Sequence, residues 1–154
     1  QQSWSITMTN IVEFPNKYPE DRVLSWGQGH KLIQRGLPLF DAVVKLCERI
    51  EEANDASFNW LGQYSHVPDH ARTRVCIEVG KKYAKIIRGR GLVMGNESVW
   101  GFIFLPRHDP KFIAGDILKA ESWSRPALNK ARGNVLMDDY QIHGTRMYGP
   151  DYLR

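Results

Sequence analysis

The chain predicts an α+β fold, an antiparallel β-meander of about four strands packed on one main α-helix. Two periodicities predict it. Between Pro38 and Asn54 apolar residues recur at helical spacing, and after His70 they alternate with a period of two. Turn formers separate the alternating segments at the intervals of a meander. The 154 residues are read as a single domain, 1–154, with a mixed N-terminal part at 1–72, a basic β-rich part at 73–134 and a tail at 135–154.

Residues 5–14 partly alternate and are β-branched, which predicts a strand, and Pro15 to Pro19 predicts a loop. Glu20 to Arg35 is mixed: Val23, Leu24, Trp26, Leu32 and Ile33 are apolar, while Gly27 and Gly29 each weaken a helix by about 1 kcal/mol relative to Ala. The helix is predicted over Pro38 to Asn54. Pro38 suits a first turn, where a missing N–H costs nothing. Leu39, Val43, Leu46 and Ile50 form one stripe, with Phe40 and Cys47 beside it, as on a core-facing helix. Asn54-Asp55-Ala56-Ser57 is expected to end it. Phe58, Trp60, Leu61 and Tyr64 are expected to continue the core in a short helix or turn.

Thr73 to Val79 is the first strand of the meander, with Val75, Ile77 and Val79 on one face. Gly80-Lys81 reads as a tight turn. Lys82 to Arg88 is the second strand, with Tyr83 and Lys85 on one face and Ala84 and Ile86 on the other. A glycine-rich connection, Gly89 to Asn96, leads to a third strand at Ser98 to Leu105. Pro106 to Ala114 is a loop, Gly115-Asp116 a turn, and Ile117 to Trp123 a fourth strand. Ser124 to Asn134 has two readings: a short helix started at Pro126, capped by Ser124 and ended by Gly133 or Asn134, or an ordinary strand-to-turn connection with one basic flank. The N-terminus of that helix, beside Arg125, would be a candidate anion site. One sheet face is expected on the helix and the other to carry basic residues.

Charge is unevenly spread. From Arg72 to Arg132 there are thirteen Lys and Arg against five acids, a net charge of +8; the remainder carries eight basic and twelve acidic residues, a net of −4. The basic window is interleaved with Tyr83, Trp100, Phe102, Phe104 and Trp123. Cations that neutralise phosphates and aromatic faces that stack on bases are what a nucleic-acid surface requires. Lys82, Tyr83, Lys85, Arg88, Arg90, Lys119, Trp123, Arg125, Lys130 and Arg132 are therefore the candidate binding residues.

Composition narrows the alternatives. No apolar run approaches the roughly 18–20 residues of a membrane span, so no membrane partner is expected. Gln1 to Thr9 lacks the basic and apolar regions of a secretory signal peptide. Cys47 and Cys76 are too few for a disulfide framework and read as reduced, buried thiols of an intracellular protein. Neither a metal nor another cofactor is expected. His66 and His70 are spaced by four but interrupted by Pro68, and no Cys-x-x-Cys accompanies them. Asp138-Asp139 near His143 is the one arrangement suggestive of acid-base chemistry, and adjacent acids in a loop are ordinarily solvated. No phosphate-binding Gly-rich loop, nucleophile elbow or Cys–His catalytic signature occurs.

Lys82-Tyr83-Ala84-Lys85-Ile86 and the long stretch from Gly115 to Asn134 carry a resemblance. They are similar to a group of small tailed-phage proteins of unassigned function sharing GKKYAKI and then GDILKAxSWxxPAxxxARGN. The likeness spans Val79–Arg88, the strand at Ser98–Leu105 and Gly115–Asn134, roughly a third of the chain. Glu121, Arg125 and a longer Pro106–Ala114 loop depart from it. The resemblance implies a phage origin, hence a place in the host cytoplasm or the virion, and no particular reaction. The reading reached is a non-catalytic DNA- or RNA-binding protein. The alternatives are a virion structural or assembly protein, self-associating or bound to a virion neighbour, and an inhibitor that binds a host protein.

Overall fold

A computed structural model describes residues 21–60, 72–90, 97–142 and 144–152; Phe58–Trp60, Arg90, Gly144 and Thr145 are described by backbone alone. The strand expected at 5–14, the His66/His70 pair, the 91–96 connection and His143 lie outside the described residues. The elements are β1 (Val23–Trp26), a 3-10 helix (Gln28–Leu32), α1 (Pro38–Trp60), β2 (Thr73–Val79), β3 (Tyr83–Arg90), β4 (Glu97–Phe104), β5 (Ile117–Leu118) and a 3-10 helix at Gly144–Met147.

The described strands form one five-stranded sheet in the order β1-β2-β3-β4-β5. The fold is α+β and mostly a meander, as expected, but the sheet is mixed: β1 lies parallel to β2, with Val23 opposite Ile77 and Trp26 opposite Val79. A parallel pair needs a long crossover, and α1 lies within it. The segment read as mixed is thus an edge strand followed by a 3-10 turn.

The α1 stripe is buried as its period predicts: Leu39, Phe40, Val43, Leu46, Cys47 and Ile50 pack against the inner sheet face, where Val75, Ile77, Val79, Ala84, Ile86, Trp100 and Ile103 are buried. Each fully buried aliphatic side chain here contributes about 1.5–3 kcal/mol. The helix does not end at Asn54 but continues to Trp60. Asn, Asp and Ser cost only some tenths of a kcal/mol each inside a helix, too little to stop one already packed along its length. Cys47 and Cys76 are free and buried, and burial chiefly pushes the Cys47 thiol far above its ordinary range.

Arg22 ties the first strand to helix and sheet. With its backbone at φ 73, it turns its guanidinium onto Glu51 of α1, through contacts of 2.6 and 2.8 Å, and also donates to the Val75 carbonyl at 3.0 Å. Glu51 Oε2 accepts in turn from the Val75 N–H at 2.9 Å. The hydrogen bond to Glu51 holds the Arg22 guanidinium above even its usual basicity. Replacing Glu51 by Ala strands a half-buried cation and a strand N–H together. Urea denaturation of Glu51→Ala is expected to show a loss of about 2–4 kcal/mol. Arg22→Met should lose less, because Glu51 keeps Val75; equal losses would contradict this account.

Candidate nucleic-acid interface

The outer sheet face is not the open basic surface that alternation alone suggests. Phe102, Phe104, Phe112 and Leu118 form a second buried cluster, with Tyr83, Val99, Ala120 and Ala131 packed against it. The chain from Pro106 to Ala131 supplies Phe112, Ala120 and Ala131 to that cluster and thereby lies over the face. It does so with the fourth strand cut short, and of the two readings of Ser124 to Asn134 the one without a helix is the one observed. β5 is two residues long, and the pairing resumes only as isolated bridges, Ala120 with Pro126 and Asp116 with Asn134. Residues 126–134 form no helix, so Ser124 caps none and no helix N-terminus stands beside Arg125. Gly133 and Asn134 are committed elsewhere, and Pro126 is buried on the sheet side.

Their commitment is a clasp. The Asn134 amide donates to the Asp116 carboxylate and to the Ala114 carbonyl, each at 2.9 Å. Its Oδ1 accepts from the Leu136 and Met137 N–H groups at 2.8 and 3.2 Å. The other Asp116 oxygen accepts from Ile113 N–H at 2.9 Å. Gly115 (φ +89) and Gly133 (φ +129) hold the left-handed turns on either side, and a Cβ on Gly115 would come within 2.8 Å of Asn134 Oδ1. The Gly-Asp and Gly-Asn ends of the long motif are therefore a structural lock that fixes the covering segment.

Between its ends the motif projects a tip. Glu121 and Ser122 N–H groups both donate to the Arg125 carbonyl, at 2.9 and 3.1 Å, and Arg125 pairs with Glu121 at 3.1 Å. Trp123 stands on this tight loop and is 52% exposed. Lys85, its side chain only 12% exposed, places its ammonium 4.8 Å from the Trp123 ring centroid and 5.9 Å from that of Phe102. Tyr83 follows along β3, edge-on to Phe102 and Phe104 at 6.0 Å. Arg107 lies 5.0 Å from the Tyr83 centroid and 3.8 Å from that of Phe104, and also donates to the Lys82 carbonyl. Cations and rings thus alternate across the outer face as Arg107, Tyr83, Lys85 and Trp123, with exposed Lys82 at one end and exposed Arg125 at the other. Glu78 pairs with Lys85 at 3.3 Å and supplies one negative charge within it.

The ten candidate residues do not share this face. Arg88 is three residues from Lys85, so the pleat sends it to the opposite side; there its guanidinium lies 4.7 Å from the Tyr148 ring centroid. Lys119 donates to the Pro150 carbonyl at 2.7 Å, and Arg132 to the Asp151 carbonyl at 3.1 Å. Lys130 is exposed apart from the ladder, and the Arg90 side chain lies outside the described residues. Arg107 belongs to the ladder and was not among the candidates, because nothing in its loop sequence shows which strand it folds back upon.

A groove of about 860 Å³ lies elsewhere, lined by α1 residues between Arg49 and Ser57 and by Asp138, Tyr140, Gln141 and Ile142. The acids singled out from the sequence are both engaged as acceptors, and only Asp138 lines this groove. Arg49 donates to Asp138 at 2.6 Å and holds its carboxyl below the usual range, and Asp139 accepts from Asn134 N–H at 2.6 Å. Among the described residues no cluster of His, Cys, Asp or Glu is arranged to hold a metal ion.

Fold and surface together define an α+β fold whose mixed sheet and clasped covering segment jointly carry a cation–aromatic ladder. Residues 34–146 match DUF7717, a family of unknown function, and the chain belongs to that family. The match encloses α1, the described strands β2 to β5, the clasp and the ladder. No curated protein and no solved structure matches the chain.

Asn134→Ala removes the centre of the clasp and is expected to cost about 2–4 kcal/mol in urea denaturation, from several buried groups left unpaired. Asn134→Asp sets two carboxylates against each other. Its stability should rise as pH falls into the carboxylate range, where one of the pair is protonated. A pH-independent deficit in Asn134→Asp would show that the amide is not placed against Asp116 as described.

Proposed function

We propose that the protein binds single-stranded nucleic acid without catalysis, through the outer-face ladder of Arg107, Tyr83, Lys85 and Trp123 flanked by Lys82 and Arg125. The observation that carries this reading is Trp123, a half-exposed indole on a tight loop with a lysine ammonium against its ring. An unpaired base stacks on such a ring, and the neighbouring cations neutralise the phosphates that follow it. A duplex buries its base faces and offers only edges and backbone, so the stacking favours a single strand. The resemblance of the two motifs to small tailed-phage proteins supports a phage setting, in the host cytoplasm or the virion. The ladder holds fewer cations than the basic window as a whole, so the salt dependence of binding should be that of a few phosphate contacts.

The test is a fluorescence-anisotropy titration with labelled single- and double-stranded oligonucleotides across a salt series. Binding of the single strand should weaken as salt rises. Trp123→Ala should weaken it by about 5- to 100-fold, the range for losing one base stack. Lys85→Glu should weaken it as well and flatten the salt dependence. Absence of binding at low salt, or binding unchanged by Trp123→Ala, would set the reading aside. A stoichiometric protein partner that persists after nuclease treatment, or self-association indifferent to DNA, would then point to a host-binding or virion role.

A further inference from the structure

The C-terminal segment closes over a second group of cations. Met147 and Pro150 are buried, and beyond them Tyr148 to Tyr152 lies along the basic residues that the sequence placed beside Trp123. Lys119 Nζ donates to the Pro150 carbonyl at 2.7 Å and sits 3.8 Å from the Tyr152 ring centroid. Arg132 Nε donates to the Asp151 carbonyl at 3.1 Å. Arg146 Nε pairs with the Asp151 carboxylate at 2.7 Å. These five residues thus offer one carboxylate, two main-chain carbonyls and two rings to Arg88, Lys119, Arg132 and Arg146.

The compensation is incomplete where it matters most. Among the described residues neither Lys119 nor Arg132 forms an ion pair. Burial first, and then the nearby Arg132, hold the Lys119 ammonium below the ordinary lysine range. Two partly buried cations therefore hydrogen-bond to neutral acceptors, Arg132 also to Asn129 Oδ1 and the Lys130 carbonyl, with the Asp151 carboxylate nearby but paired to Arg146. A group carrying formal negative charge and several oxygens would replace the segment's carbonyls favourably. A cavity of about 290 Å³ adjoins Arg132 and the Pro150 and Asp151 acceptors, lined also by Lys130, Arg146 and Tyr140 and by the acid Asp139. Both acids are already engaged, Asp139 by the Asn134 N–H and Asp151 by Arg146. The covering ring is weakly held, for Tyr152 is 80% exposed.

We propose that Lys119 and Arg132 form a second anion site, which takes neighbouring phosphate groups, and that Tyr148–Tyr152 is its internal occupant, displaced as the ligand enters. The segment imitates what it excludes: rings in place of bases, and carbonyl and carboxylate oxygens in place of phosphate. The site requires phosphate rather than base, so it stands apart from the outer-face ladder. The phosphates come either from a free polyphosphate chain or from a nucleic-acid backbone.

The experiment titrates the whole chain with tripolyphosphate by calorimetry and follows the Lys119 ε-methylene resonances by NMR. Those resonances are expected upfield, given the ammonium 3.8 Å from the Tyr152 ring centroid, and should return toward ordinary positions as the segment leaves. Tyr148→Ala with Tyr152→Ala, both at exposed rings, should tighten tripolyphosphate binding by about three- to tenfold, the worth of one or two exposed cation–ring contacts. Lys119→Gln with Arg132→Gln should abolish it. No binding to the unaltered chain, no tightening in the tyrosine variant, or retained binding in the glutamine variant would each overturn the proposal. Repeating the titration with oligothymidylate in a Trp123→Ala background identifies the source. Tightening by the tyrosine changes there supports a nucleic-acid backbone as ligand, and tightening confined to tripolyphosphate supports a free polyphosphate. Trp123→Ala should leave the tripolyphosphate affinity unchanged, so failure of the ladder and failure of this site are read separately.

Discussion

The buried hydrogen bond between Asp116 and Asn134 is the constraint on which the outer half of the molecule depends. Between these residues the chain forms little regular structure: a two-residue strand, one isolated bridge and a tight loop. An irregular segment of this length is held only where its two ends are held. The clasp does that with one side chain from each end, both nearly fully buried. It joins the start of the segment to its finish, keeps Ala120 and Ala131 on the phenylalanine cluster and fixes where the Trp123 loop emerges. The ladder's geometry therefore rests on a contact that includes none of the ladder's members.

A second constraint is the pleat. A basic strand looks like a basic face in sequence, but alternation divides it. Lys85 lies with the rings of Tyr83 and Phe102, while Arg88 lies toward Tyr148 on the other side. Among the described residues, the positive window thus contributes cations to at least two separate surfaces, one around Tyr83, Phe102 and Trp123 and one around Tyr148 and Tyr152. Charge density read along the sequence overstates the charge available to any one ligand.

What the sequence makes legible follows from range. The period of α1, its buried stripe, the three long strands and the tight turn at Gly80 are local patterns, and each stands where the pattern puts it. The parallel placement of β1 is not local: Val23 to Trp26 gains its position from β2, across α1, through Arg22 and Glu51. Pro126 to Asn134 carries plausible local signals for a helix, namely a capping serine, an early proline and a late glycine. They are overruled because Pro126 is drawn into a bridge with Ala120 and Asn134 into the clasp. At the candidate interface Tyr83, Lys85 and Trp123 were recognisable as residue types, whereas Arg107 joins them only through the fold of the loop after β4. The long motif is explained, but chiefly as architecture: its glycines, Asp116 and Asn134 hold the shape, while Trp123 and Arg125 lie in its exposed central stretch.

One further feature restricts how this fold can vary. Gly27 N–H donates to the Val79 carbonyl and Gly29 N–H to the Gly80 carbonyl, each at 2.8 Å. A Cβ on Gly27 would come within 2.3 Å of Val79 O, and one on Gly29 within 2.6 Å of Gly80 O. The two residues that argued against a helix in sequence thus let one backbone lie directly on another where β2 turns into β3. That turn is gripped from the side, so it has no freedom to lengthen: an inserted residue would carry both acceptors away from their donors. Insertions compatible with this architecture are consequently channelled to connections without such a grip, and the β2–β3 hairpin acts as the fixed ruler against which the rest of the sheet is measured.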